Sequence, residues 1–175
     1  MKMLIIIIPM PTSNLKEIIL GIDPGLADTG FGVIEKQGSN LKMIDYGNIT
    51  TPAGQLNEKR LEEIHKKLND LIKKYRPKTV GIEKLFFCKN TKTAIAVSQA
   101  RGVIVLTAGQ HKLIIKEFTP LQVKLTLTSY GQATKNQIQQ MVKTILKLKE
   151  IPKPDDAADA LAIAICCAHS PKNYE

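Results

Sequence analysis

A chain of 175 residues, 43% hydrophobic and 23% charged, suffices for one domain with a buried core and lacks the bias of a disordered or fibrous protein. Twenty-five Lys and Arg against sixteen acids leave a formal charge of +9, which points to a polyanionic partner, although a merely soluble basic protein has the same balance. Three cysteines, Cys88, Cys166 and Cys167, make no disulfide framework; they fit reduced, buried thiols, and no Cys–His spacing resembles a zinc site.

At the N-terminus, the apolar run Leu4–Ile8 ends at Pro9 and falls far short of the roughly 20 residues a bilayer span needs. No small-residue cleavage site follows it. Residues 1–16 are therefore expected to be an appended, mobile extension of a cytoplasmic, non-membrane protein. Ile18 to Asp23, stopped by Pro24-Gly25, has the pattern of a buried strand and turn. Residues 31–36 and 41–50, separated by Gly38-Ser39-Asn40, read as a hairpin, so the first three strands run antiparallel. Leu61, Ile64, Leu68, Leu71, Ile72 and Tyr75 recur at helical spacing until Pro77.

Thr79–Glu83 is another short strand. Thr91–Gln110 is a long helix, apolar around much of its girth, and so needs partners on two sides; part of it is expected at a dimer interface. Residues 112–118 read as a fifth strand, 120–126 as a short helix, 133–149 as a lysine-rich amphipathic helix and 155–168 as the last helix. The order predicts an α/β domain over residues 17–170, a mixed five-stranded sheet flanked by helices, with a tail at 171–175.

Acidic residues are depleted from strands, yet Asp23 and Glu83 each end an apolar one. Either alone is ordinary, since a strand-terminal acid is often just solvated. On the last helix, Asp156 and Asp159 lie three apart and share a face. Asp155 is expected at the N-cap, where its carboxylate meets unpaired N–H groups. The helix dipole explains the first two Asp but fits Asp159 poorly, among Ala and Leu. Four gathered carboxylates repel one another unless a cation compensates, and oxygen ligands without Cys or His select Mg²⁺ or Mn²⁺. Two such ions about 4 Å apart would clamp a phosphodiester undergoing hydrolysis.

These residues resemble the RuvC family of Holliday-junction resolvases. Ile19-Leu20-Gly21-Ile22-Asp23-Pro24-Gly25 followed by Thr29-Gly30-Phe31-Gly32 is similar to its opening strand, and Ile82-Glu83 with Phe86 to its second motif. Gln99-Ala100-Arg101-Gly102 is similar to its long helix, and Asp156-Ala157-Ala158-Asp159-Ala160-Leu161-Ala162 to its C-terminal motif. The resemblance spans residues 18–169, and the four motifs in order make it specific. It implies a ribonuclease H-like fold, with Asp23, Glu83, Asp156 and Asp159 as four catalytic metal ligands. It further implies a homodimer that nicks two like-polarity strands of a four-way junction symmetrically and works with the RuvA–RuvB branch-migration complex. The extension at residues 1–16 and the extra carboxylate of Asp155 depart from the family pattern. Asp156 is retained as the ligand because it preserves the D-x-x-D spacing.

Between Lys112 and Lys149 there are seven lysines and one acid, Glu117, a composition suited to phosphate contact or simply to solvated helix faces. Lys124 and Lys135 occupy positions that resemble the family's DNA-contacting lysines. Phe86 and Phe87 are adjacent in an expected loop and cannot both face the core, so one is free to stack on an unpaired base; Phe86 is the position that resembles the family's stacking aromatic. His65, His111 and His169 read as surface residues.

Three other readings compete. The Asp23-x-Gly25 loop also resembles the phosphate loop of actin-like ATPases and sugar kinases, which need a second domain that 175 residues do not accommodate. A non-catalytic junction-binding module would have no use for four acids. A ribonuclease H-like nuclease acting on structured RNA shares the chemistry but not the reason for a two-fold dimer.

Overall fold

Period-two alternation in the first strand divides the interior into two halves. In β1 (Glu17–Asp23), Leu20 and Ile22 enter one buried cluster and Ile19 the other. The computed structural model describes residues 15–84 and 91–171, with the side chains of residues 91–93 excepted; the expectations for the N-terminal extension up to residue 14, for Phe86, Phe87 and Cys88, and for the tail beyond residue 171 lie outside the described residues.

β2 (Asp28–Gln37) pairs antiparallel with β1 and with β3 (Asn40–Thr50). β4 (Thr79–Glu83) runs parallel to β1, and β5 (Ile114–Phe118) parallel to β4, giving the order β3-β2-β1-β4-β5. α1 (Asn57–Tyr75) and α2 (Thr91–Gln110) cover one face, where Ile64, Leu68, Ile72, Ala100 and Ile104 meet Leu20, Ile22, Val33, Val80 and Ile82. α3 (Pro120–Thr128), α4 (Lys135–Ile145) and α5 (Asp155–His169) cover the other, where Val123, Leu127, Ile138, Val142 and Leu161 meet Ile19, Ile34 and Phe118. Each such Val, Leu, Ile or Phe side chain contributes roughly 1.5–3 kcal/mol by leaving water. The mixed sheet flanked by helices and the order of elements are as the sequence predicts.

α5 lies directly on the backbone of β1 and β2. A Cβ added at Gly21 would stand 2.1 Å from the Ala160 carbonyl oxygen, and one at Gly30 2.1 Å from that of Asp156. Only glycine allows this approach, and the alanines of α5 complete it: Ala157, Ala158, Ala160, Ala162, Ala164 and Ala168 are all buried.

Several local expectations are corrected. Asp155 is not the N-cap of α5. Pro154 holds that place in extended conformation (φ −71°, ψ 175°) and its carbonyl accepts from the Ala157 and Ala158 N–H groups, so Asp155 falls inside the first turn without a capping hydrogen bond. α4 runs from Lys135 to Ile145 rather than over 133–149, leaving Lys147 and Lys149 outside it, and Lys147 adopts a left-handed φ of 54°. His65 and His111 are not surface residues. Both are half-buried between α1 and α2, where His65 Nδ1 lies 2.8 Å from Thr107 Oγ1, His65 Nε2 lies 2.9 Å from Asn69 Nδ2, and His111 Nε2 lies 2.6 Å from Asn69 Oδ1. His169 is exposed, as expected.

Candidate metal centre and nucleic-acid interface

Asp23 and Glu83 are the last residues of neighbouring parallel strands, held level by the pairing of Ile22 with Ile82. Alternation places both on the α5 side, since Gly21 and Gly81, two residues earlier, are the positions that touch α5. The N-terminal turns of α5 carry Asp156 and Asp159 to the same place. One carboxylate oxygen each from Asp23, Asp156 and Asp159 lie within 4.8 Å of one another. Glu83 joins them through a hydrogen bond shared with Asp23. All four sequence-predicted acids thus converge, although Glu83 stands outside the tightest triad.

Crowding marks their chemistry. Burial, then the negative charges of Glu83, Asp159 and Asp156, push the Asp23 carboxyl up to about 8. Burial also raises Glu83 against the opposing hydrogen bond from Asp23, with Asp159 adding to the rise. Asp159 is raised by burial as well, opposed by the Lys135 ammonium. At neutral pH, without a cation, one proton is therefore retained between Asp23 and Glu83. A hard divalent cation fits this all-oxygen donor set and would replace that proton.

Beside the acids opens a cleft of about 230 Å³, lined by Glu83, Lys124, Lys135, Ile138, Asp159 and Ile163 among others. The two lysines singled out in the sequence thus line the same cleft as two of the acids. Capping boxes fix the helices that carry them: Thr119 with Gln122 starts α3, and Thr134 with Gln137 starts α4. Lys135 is the first residue of α4, where the helix dipole disfavours a cation; Asp159 Oδ2 at 3.0 Å and Asp155 Oδ2 at 3.5 Å compensate. Of the seven lysines between Lys112 and Lys149, Lys116 is not available for phosphate contact, being buried and donating to Ser170 Oγ at 2.9 Å and to the Pro171 carbonyl at 2.7 Å. Phe86 lies outside the described residues.

One contributor escaped the sequence reading. Asn48 of β3 donates from Nδ2 to Asp156 Oδ2 at 3.2 Å. Its signal was an asparagine inside a strand, a place that residue type avoids.

Residues 19–167 match the family model described as crossover junction endodeoxyribonuclease RuvC. The chain belongs to the RuvC family. The RuvC of Alkaliphilus oremlandii is 56% identical over 153 residues, covering 87% of this chain and 93% of that relative. The RuvC of Clostridioides difficile is 54% identical over 155 residues, covering 89% and 92%. Among solved structures, T. thermophilus RuvC in complex with Holliday junction substrate superposes with a TM-score of 0.81 at 32% identity, covering 86% of this chain and 92% of that one. The yeast mitochondrial Holliday junction resolvase Ydc2, at 15% identity and a TM-score of 0.63, shares the fold. RuvC membership establishes the ribonuclease H-like architecture and removes the ATPase reading of the Asp23 loop. Among the described residues, no helix is long and apolar enough to cross a membrane.

Proposed function

We propose that this chain is a structure-specific endodeoxyribonuclease that resolves Holliday junctions by paired, symmetric nicks in strands of like polarity, in DNA recombination and repair. The observation that carries the reading is the convergence of Asp23, Asp156 and Asp159 from two separate elements to within 4.8 Å, in a RuvC-family chain. Asp23, Glu83, Asp156 and Asp159 are assigned as the catalytic carboxylates and the ligands of Mg²⁺, two ions per site, with Mn²⁺ able to substitute. Bound there, the cations supply an activated water and neutralise charge on the phosphate. The chain's own part is to present acids from β1, β4 and α5 at one point, with Lys135 as a counter-charge beside Asp159.

Lys124 and Lys135 are assigned to the DNA phosphates, which position the substrate without reading its sequence. Phe86 is assigned to base stacking at the crossover. A two-fold junction calls for two copies of the site. The outer side of α2 supports a homodimer, because Ile95 and Leu106 are 61% and 59% exposed there and Gly102 and Gly109 have open space above them. The RuvA–RuvB branch-migration complex is the further partner that family resemblance implies, and the cytoplasm is the compartment inferred for a protein acting on chromosomal DNA. Residues 17–170 are assigned as the nuclease domain.

A synthetic four-way junction incubated with the protein and Mg²⁺ tests the reading. Paired, ligatable nicks that disappear in Asp23→Asn are expected. Equal cutting of linear duplex, or full activity in Glu83→Gln, would overturn it.

A further inference from the structure

Asn48, Gly30 and Asp23 form one row across three strands: Asn48 pairs with Gly30 between β3 and β2, and Gly30 pairs with Asp23 between β2 and β1. Because Gly30 carries no side chain, nothing stands between Asn48 and the first turn of α5, and the amide crosses to Asp156. A carboxylate oxygen only accepts, so the amide nitrogen must face it, which fixes how the Asn48 side chain is turned. The other branch, Oδ1, is then committed. It is buried and has no hydrogen-bond partner among the described residues.

A buried acceptor without a donor is costly, and such an atom calls for an explanation. The groups gathered beside it do not provide the donor. Asp156 and Asp159 are acceptors when ionised, the proton on Asp23 is shared with Glu83, and the Lys135 ammonium is engaged by Asp155 and Asp159. A hydrated divalent cation among the acids would bring donors, because Mg²⁺ gives up its waters reluctantly and keeps several when bound to carboxylates.

We propose that Asn48 is a positioning residue of the acidic site: Nδ2 holds Asp156 in its ligating orientation, and Oδ1 accepts a hydrogen bond from a water of the bound cation. The proposal rests on the reading of the four acids as metal ligands. It gives the third strand a part in metal selection, favouring an ion that remains hydrated over one that sheds its water easily. Partners of this kind, bonded to a ligand rather than to the metal, typically change metal affinity about tenfold or more.

Calorimetric titration of the full chain with MgCl₂ and with MnCl₂, in the absence of DNA, tests it. Asn48→Ala should weaken Mg²⁺ binding about tenfold and Mn²⁺ binding by less. Asn48→Leu, close in shape but with neither polar function, should show the same loss while its cation-free melting temperature stays level or rises, because the orphaned acceptor is gone. A residue that merely filled space would tolerate Leu with unchanged Mg²⁺ affinity, so affinities within about twofold of the parent in both variants would overturn the proposal. Asp156→Asn separates the two levels of the argument. If the parent binds no Mg²⁺, or Asp156→Asn still binds it fully, the reading of the acids fails and the role of Asn48 fails with it. If the parent binds, Asp156→Asn does not and Asn48→Leu binds as the parent does, only the role of Asn48 fails.

Discussion

Lys135 Nζ lies 3.0 Å from Asp159 Oδ2, so the acidic cluster contains its own ammonium counter-charge, delivered from the first residue of α4. That ammonium competes with any cation entering the same carboxylates. Replacing it by Gln should therefore strengthen Mg²⁺ binding, by about two- to fivefold given the modest worth of a half-exposed ion pair. Junction cutting should nevertheless fall, since the same change removes the phosphate contact proposed for Lys135 in the cleft. Titration of the cation without DNA, followed by single-turnover cleavage at saturating Mg²⁺, reads the two effects separately. Weaker cation binding in Lys135→Gln would show that the lysine organises the site rather than competing for it.

The raised carboxyl of Asp23 sets a pH dependence whose sign is fixed. Its folded value of about 8 stands above the ordinary 3.8, so the fold prefers the protonated acid. The stability this contributes is complete below about pH 4 and is lost as pH rises through 8. Asp23→Asn mimics the neutral form at every pH. Without divalent cation, its melting temperature should match the parent near pH 4, exceed it increasingly toward pH 8 and level off above, by on the order of several degrees. Added Mg²⁺ should stabilise the parent more at pH 8 than at pH 6 and the variant little at either, as differential scanning fluorimetry across pH would report.

Much of this arrangement was legible in the sequence because its periodicities are strong. Alternation in β1 and β4 brought Asp23 and Glu83 to strand ends, and the spacing of Asp156 and Asp159 put them on one helical face. What stayed hidden depends on elements far apart in the chain. Asn48 reaches Asp156 only through strand pairing and the bare backbone of Gly30, neither of which leaves a local trace. Asp155 carries a good capping side chain, but the proline before it takes the capping position. His65 sits on a charged helix and His111 at a helix end in the sequence, yet the packing of α1 and α2 buries half of each around Asn69 and Thr107. Lys116 was counted with the phosphate-binding lysines, although the chain after α5 folds back to bury it.

The second face of the sheet has its own polar tie. Arg101 of α2 forms an ion pair with Glu117 of β5, with 23% and 32% of the side chains exposed, and Arg101 Nε is buried without a partner among the described residues. Removing the acid strands the guanidinium, whereas removing both leaves little to satisfy. Glu117→Gln should destabilise the protein by about 1–3 kcal/mol. The double variant Arg101→Met/Glu117→Gln should recover part of that loss, and urea unfolding of the parent, the two single variants Arg101→Met and Glu117→Gln, and the double variant gives the coupling directly. Additive losses would mean that the pair contributes nothing of its own.

Gly30 connects the packing of the core to the chemistry of the site. A methyl group there would stand 2.1 Å from the Asp156 carbonyl oxygen and 2.5 Å from its carbonyl carbon, a contact with backbone that no side-chain rotation relieves. The first turn of α5 must move, and Asp156 moves with it. Gly30→Ala should therefore cost about 1–3 kcal/mol of stability, as overpacking does, and also weaken Mg²⁺ binding although no ligand has changed. Gly54, with nothing within 4 Å of its added Cβ, is the matched control: Gly54→Ala should leave both properties near those of the parent. If Gly30→Ala lost stability but bound Mg²⁺ normally, the close seating of α5 on β2 would serve the core alone and the acids would tolerate a shift of their helix.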